Sequence, residues 1–123
     1  MNEIETYLKD CMENNEVSID MSDCVIRDHG AKMVATAASL CDNLQELRLQ
    51  QCGITDEGAI EIFNELRVLK HLQVVDISCN PITEKSLDAL TNLLVCNQNL
   101  VVKMRMNSIK TKFAARKMQH YEQ

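Results

Sequence analysis

Leu44-Gln-Glu-Leu47-Arg-Leu49-Gln-Gln-Cys52-Gly-Ile54 and Leu72-Gln-Val-Val75-Asp-Ile77-Ser-Cys-Asn80-Pro-Ile82 carry one pattern twice, 28 residues apart. A looser copy lies upstream, Ile19-Asp-Met21-Ser-Asp-Cys24-Val-Ile26, and a fourth downstream, Val102-Lys-Met104-Arg-Met-Asn107-Ser-Ile109. The Cys/Asn position falls at 24, 52, 80 and 107, so the spacings are 28, 28 and 27. A fixed period of this length is the signature of a repeat architecture and has to be recognised before any single element is assigned.

The chemistry inside one period predicts a strand followed by a helix. Leu47 and Leu49 are two apart and point to one face of a short strand. Because every period runs the same way, the strands form a parallel ladder. Where each strand ends the chain must turn inward and bury backbone groups, which the amides of Asn80 and Asn107 can satisfy. Cys24 and Cys52 occupy the same position with a weaker donor. The return leg is helical: Thr55 or Asp56 is positioned to cap a stripe of Ile60, Phe63, Leu66 and Leu69. Thr83 caps the next, with Leu87, Leu90, Leu93 and Leu94 facing in, and Asp28 is expected to cap the first, through Met33, Ala37 and Leu40. Residues 3–13 read as a further helix with Ile4, Leu8, Cys11 and Met12 on one side, and Asn2 and Glu5 have capping-box spacing. One strand and one helix cannot bury their apolar faces alone, so neighbouring repeats share a continuous core.

The pattern L-x-x-L-x-L-x-x-[NC]-x-L resembles the leucine-rich repeat, and the period of 28 with T-D-E-G or T-E-K-S opening the helix is similar to the ribonuclease-inhibitor-like class. The resemblance implies an α/β solenoid: a short right-handed horseshoe arc with a parallel β-ladder on its concave side and α-helices on its convex side. The expected organisation is a single domain over residues 1–123. It divides into an N-terminal capping helix (1–14), four strand–helix repeats (about 16–110) and a basic C-terminal cap or tail (about 110–123). In that tail Ile109, Phe113, Ala114, Met118 and Tyr121 supply an apolar side, and Lys110, Lys112, Arg116 and Lys117 supply charge. The strand Val17–Met21 is left as an open edge, where Asp20 and Asp23 discourage pairing with another chain.

Composition is consistent with this reading. Hydrophobic residues make up 46% of the 123, but aromatics only 3% and Trp is absent, so the core must be aliphatic. No apolar run approaches the roughly 18–20 residues a membrane span needs. The opening MNEIETYLKD lacks the basic start and apolar stretch of a secretory signal. Six cysteines could imply a disulfide framework. The recurrence of Cys24 with Cys52, and of Cys41 with Cys96 near helix ends, instead predicts reduced thiols filling small apolar slots in a cytoplasmic protein. Net charge is −5, unevenly placed. Residues 1–88 hold 17 acidic and 7 basic side chains, whereas residues 89–123 hold 6 basic and only Glu122.

Stacking the register gives three rows of side chains that flank the inward leucines, and the resemblance implies that these rows face the concave surface. They are Ser18, Glu46, Val74 and Val101; Asp20, Arg48, Asp76 and Lys103; and Ser22, Gln50, Ser78 and Arg105. The central row alternates in sign, so each charge is expected to meet its opposite on the adjoining strand, at about 0.2–1 kcal/mol per exposed pair. Glu46, Arg48, Gln50, Val74, Asp76, Ser78, Lys103 and Arg105 are the expected partner-binding residues of the ladder. Lys110, Lys112, Arg116 and Lys117 are those of the basic end.

No reaction chemistry is legible. His29, His71 and His120 are dispersed, there is no C-x-x-C pair, and no phosphate-binding glycine loop is present. Asp56-Glu57 sits at a helix start, where carboxylates favour the dipole. Activators of the small GTPase Ran share this repeat type but use more repeats and an arginine-bearing loop, for which Arg27 is the single candidate here. The expectation is a non-enzymatic interaction scaffold without cofactor or metal, holding a protein partner rather than nucleic acid or membrane. The alternatives are a small subunit of a cytoskeletal or ciliary assembly and a fragment of a longer leucine-rich-repeat regulator or receptor.

Overall fold

A computed structural model describes residues 2–107 of the chain. Strands and helices alternate: α1 (Glu3–Glu13), β1 (Ser18–Asp20), α2 (Arg27–Ser39), β2 (Glu46–Arg48), α3 (Asp56–Glu65), β3 (Val74–Asp76), α4 (Leu87–Cys96) and β4 (Val101–Lys103). A 3-10 turn at Leu66–Val68 follows α3, and another at Glu84–Ser86 leads into α4. The four strands form one parallel sheet in sequence order. Its register joins Ile19, Leu47, Val75 and Val102 in a single file. All four side chains are fully buried. Each helix packs on the next in the same order, and among the described residues the core between sheet and helices holds Phe63 as its one aromatic.

Every turn leaves its strand through the same backbone feature. Asp23, Gln51, Cys79 and Met106 all have φ between 54° and 66°, although none is glycine. Left-handed backbone costs an ordinary residue about 1–2 kcal/mol, so the surrounding structure must hold it. The hydrogen bonds that follow each of these residues do so. Asn80 accepts from the amides of Cys52 (2.9 Å) and Ile54 (3.1 Å). Its Nδ2 donates to the carbonyls of Leu49 (2.9 Å), Ile77 (2.9 Å) and Ser78 (3.1 Å). One turn on, Asn107 accepts from the Asn80 amide at 3.0 Å. One turn back, the Cys52 thiol donates to the Met21 carbonyl at 3.2 Å. The side chain therefore reaches back into the preceding turn. That geometry corrects the expectation for Cys24, which is exposed because β1 is the first strand of the sheet and offers no earlier carbonyl.

Helix starts are stitched between turns in a way the sequence reading missed. Asp28 was expected to cap α2, but α2 begins at Arg27 and no side chain caps it. Asp28 instead accepts from the Thr55 amide (2.8 Å), the Thr55 hydroxyl and the Gly58 amide (3.1 Å), and so caps α3. Asp56 repeats this one turn later, accepting from the Thr83 amide (2.9 Å), the Thr83 hydroxyl (2.6 Å) and the Ser86 hydroxyl. A carboxylate held among the first amides of a helix satisfies orphan donors and the dipole together. Glu84 is the next in the series, and its Oε2 is buried with no hydrogen-bond partner among the described residues. Thr55, Thr83 and Thr111 each stand 27 positions after a member of this series, but Thr111 lies outside the described residues.

Burial pushes the Asp56 carboxyl up, yet the Ser86 and Thr83 hydroxyls, the Thr83 amide and the Lys85 charge outweigh it and hold the group below its ordinary value of 3.8. A depressed carboxyl contributes stability that is complete above the unfolded pKa and disappears as pH falls through the lower folded value. Asp56→Asn should therefore lower the thermal midpoint at pH 7, with the difference from wild type shrinking below about pH 4. Parallel melts of the two proteins across this range check the sign.

Gly58 sits directly under the Asp28 cap. A Cβ there would lie 2.5 Å from Asp28 Oδ1, 2.9 Å from Ala31 Cβ and 3.0 Å from Ile54 Cγ2. The equivalent position one turn on is Ser86, and there the helix opens as a 3-10 turn. Gly58→Ala should cost about 1–3 kcal/mol, the range for overpacking a filled site. Denaturant unfolding measures it, and a change within error of zero would mean that the cap can move aside.

Three smaller expectations are also corrected. Leu40 is 62% exposed because the end of α2 tightens, and Cys41 takes the buried place, its thiol donating to Ala37 O at 3.4 Å. Cys96 is exposed, since the register partner of Cys41 and Leu69 is Asn97, whose Nδ2 donates to Leu72 O at 2.8 Å. In α3 the inward face carries Ala59 and Ile62, with Ile60 only partly buried. At α1 the expected cap is present: Asn2 Oδ1 accepts from the Glu5 amide at 2.8 Å, and Asn2 Nδ2 donates to Glu5 Oε1 at 3.4 Å. The β1 edge is partly closed, because the Tyr7 hydroxyl accepts from the Asp20 amide at 3.2 Å. The expected helix through Ile109, Phe113, Ala114, Met118 and Tyr121 lies outside the described residues.

Candidate functional site

The sheet register sets two of the three expected rows side by side. Ser18, Glu46, Val74 and Val101 are neighbours across the strands, as are Asp20, Arg48, Asp76 and Lys103. The middle residue of each strand is buried and the flanking ones turn away from the core, except on β3, where Asp76 is buried too. Glu46, Arg48, Gln50, Val74, Val101 and Lys103 are partly exposed and Arg105 is fully so. These residues come together on one face. Lys110, Lys112, Arg116 and Lys117 lie outside the described residues.

The charges do not form the alternating chain of pairs that the sequence suggested. Arg48 Nη2 lies 3.5 Å from Glu46 Oε2 on its own strand, and Arg48 Nη1 lies 3.9 Å from Asp76 Oδ2. Asp20 Oδ1 accepts from the Ser22 amide at 2.9 Å, and Asp76 Oδ1 from the Ser78 amide at 3.1 Å. An aspartate binding its own backbone two residues on is an Asx turn, a local alternative to cross-strand pairing. The serine hydroxyls of the third row are engaged as well: Ser22 Oγ accepts from the Gln50 amide at 3.3 Å and Ser78 Oγ from the Arg105 amide at 3.0 Å. Asp76 at 5% exposure and Ser78 at 4% thus act mainly within the fold. The residues of these rows that offer side chains outward are Glu46, Arg48, Gln50, Val74, Val101, Lys103 and Arg105, with Ser18 and Asp20 exposed on β1.

Sequence reasoning overlooked a groove of about 520 Å³ between α1 and α2, lined by Leu8, Met12, Met33, Ala37 and the stem of Lys32. Met12 and Met33 were assigned to the core, and a stripe of helical spacing does not reveal which of its members stay partly exposed. At the rim Lys32 Nζ meets Glu57 Oε1 at 2.8 Å, with both side chains exposed. A pair so open to solvent is screened by water and adds little to stability.

Among the described residues no group of three or more His, Cys, Asp or Glu side chains could hold a metal ion. All six cysteines are unpaired. Burial pushes the Cys52 thiol up to about 11, and Cys11 and Cys41 are raised by burial also. Such thiols stay protonated and unreactive at neutral pH. Arg27 is exposed at the head of α2 with φ 57°, its amide donating to Cys52 O at 3.0 Å. No helix among the described residues is long and apolar enough to cross a membrane.

Comparison with known proteins bears on the same elements. The family described as Leucine Rich repeat matches at residues 41–63 and 68–90, which run from just after α2 into α3 and from before β3 into α4. The centrosomal protein of 78 kDa from Mus musculus is 36% identical over 78 residues, 63% of this chain and 10% of that protein. Its Xenopus tropicalis counterpart is 33% identical over 78 residues, 63% of this chain and 11% of that protein. The chain therefore spans about a tenth of the length of these curated relatives. Among solved structures, leiomodin-1 actin-binding site 2 superposes with a TM-score of 0.81 at 16% identity, covering 98% of this chain and 73% of that one. The tropomodulin C-terminal domain of Caenorhabditis elegans gives 0.66 at 12% identity, covering 98% and 91%. At these identities the likeness is one of fold. The two matched stretches contain β2 and β3, so sequence and fold alike make these turns similar to the leucine-rich repeat.

Proposed function

We propose that this chain is a non-enzymatic protein-interaction scaffold in a cytoplasmic cytoskeletal assembly. On this reading residues 1–123 form one domain of the ribonuclease-inhibitor-like class. The ladder lies on the inner side of a short right-handed arc, the helices lie outside, and α1 and the basic segment 110–123 cap its ends. The observation that carries the proposal is the likeness, over nearly the whole chain, to actin-binding site 2 of leiomodin-1. The tropomodulin fold and the sequence match to a centrosomal protein support the same cellular setting. The outward side chains of the ladder and the basic end are the two contact surfaces. The ladder offers no large aromatic anchor, so affinity through it alone should be modest.

Cosedimentation with purified actin filaments tests the reading directly. The scaffold should pellet saturably with filaments and stay in the supernatant without them. A second reading, a subunit of a centrosomal or ciliary assembly, is favoured by the 36% identity to the centrosomal protein. It predicts concentration of a fluorescently tagged chain at centrosomes, with no pelleting on actin. A chain that does neither contradicts both.

A further inference from the structure

The ladder's carboxylates are engaged inside the fold, whereas its last two cations are not. Asp20 and Asp76 hold backbone amides of their own strands' ends, and Glu46 holds Arg48. Lys103 is in register with Asp76, but Asp76 is turned to the Ser78 amide and to Arg48. Lys103 and Arg105 have no ion-pair partner among the described residues. Arg105 is tied through its backbone, its amide donating to Ser78 Oγ and its carbonyl accepting from the Cys79 amide, and the residue is exposed. Lys103 ends β4 and Arg105 follows two residues on, in the turn that leaves the strand, so the two cations lie close together at one end of it. Val74 and Val101, also in register with one another, lie on the same two strands and are only partly buried. A chain of net charge −5 thus presents, at its β3–β4 corner, two uncompensated cations and an apolar pair.

We infer that this corner docks an acidic protein segment, its carboxylates meeting Lys103 and Arg105 and an apolar side chain covering Val74 and Val101. The inference rests on the scaffold reading above and names the partner chemistry for one of its two surfaces. Charge complementarity selects the occupant: a basic segment would find the nearby carboxylates already occupied. A nucleic acid would find two cations without an aromatic side chain beside them for stacking. Unpaired like charges on a desolvating face exclude wrong partners and speed the right one.

The test uses the full chain and two labelled peptides of twelve residues, one alternating Glu with Leu and one alternating Lys with Leu, followed by fluorescence anisotropy. The Glu–Leu peptide should bind, and more weakly as salt rises, while the Lys–Leu peptide should not. Lys103→Glu combined with Arg105→Glu should weaken Glu–Leu binding by about tenfold or more. Lys32→Glu, on the helical side, should leave it unchanged. Lys103→Ala combined with Arg105→Ala gives a smaller loss in the same direction and guards against misfolding of the charge-reversed protein. Equal binding of the Glu–Leu peptide by wild type and both double variants, or no binding by wild type, overturns the inference. Actin cosedimentation of the same proteins separates the two failures. A wild-type chain that pellets with filaments but ignores the peptide keeps the scaffold and loses this corner, whereas one that does neither loses both.

Discussion

Asn80→Ala should cost about 3–5 kcal/mol, the range for breaking a buried polar network. Asn80 is 2% exposed, and its amide serves two donors and three acceptors. Alanine would leave the amides of Cys52 and Ile54 and the carbonyl of Leu49 without this partner in the interior. Each buried group so orphaned costs about 1–3 kcal/mol, partly recovered if water enters. A domain of this size has only about 5–15 kcal/mol in total. Urea unfolding of the variant should therefore show a much lower midpoint with a similar slope. Asn80→Cys offers an internal comparison, since Cys52 fills the same position one turn earlier with a thiol that donates to Met21 O. A thiol supplies one weak donor and replaces none of the acceptor function, so Asn80→Cys should fall between wild type and Asn80→Ala. A loss under about 1 kcal/mol in the alanine variant would mean that the turns are not held through this side chain.

Phe63→Ala is the second large effect, about 3–5 kcal/mol. Phe63 is the largest fully buried side chain among the described residues and lies in α3, which packs on both α2 and α4. Among the described residues no other aromatic belongs to the core cluster, and the side chains around Phe63 are smaller. Removing a ring loses its transfer free energy and leaves a cavity that aliphatic neighbours close only in part. Phe63→Leu should cost markedly less, since it keeps most of the volume. Equal losses for the two variants would show that shape rather than volume decides this site.

The sequence disclosed the strands because the signal there is redundant. Period 2 within each strand and period 28 between strands agree at Ile19, Leu47, Val75 and Val102, and the structure joins those residues in one file. The asparagine position was legible for the same reason, since the chemistry of an inward turn demands a side chain that both donates and accepts. Asp28 was misread because capping rules describe one helix at a time. Nothing local distinguishes an aspartate that caps its own helix from one that caps the helix of the next turn, 27 residues away at Thr55. Cys24 was misread because the rule ignored the sheet's end, where the groups a repeat position serves are missing. The candidate face was only half visible. Register placed Asp20, Arg48, Asp76 and Lys103 in one row, but formal charge does not show whether a carboxylate is already bound to its own backbone. Asx turns at Asp20 and Asp76 depend on a two-residue geometry that only the folded strand ends reveal.

Cross-strand nuclear Overhauser contacts in isotope-labelled protein test the central claim, a chain wound so that residues 28, 28 and 27 apart lie on adjacent parallel strands. Leu47 should show backbone contacts to both Ile19 and Val75, and Val75 to Val102 as well. Contacts displaced by even one residue, or strands that pair antiparallel, would contradict it, because a single-residue slip would turn Leu47 and Val75 out of the core.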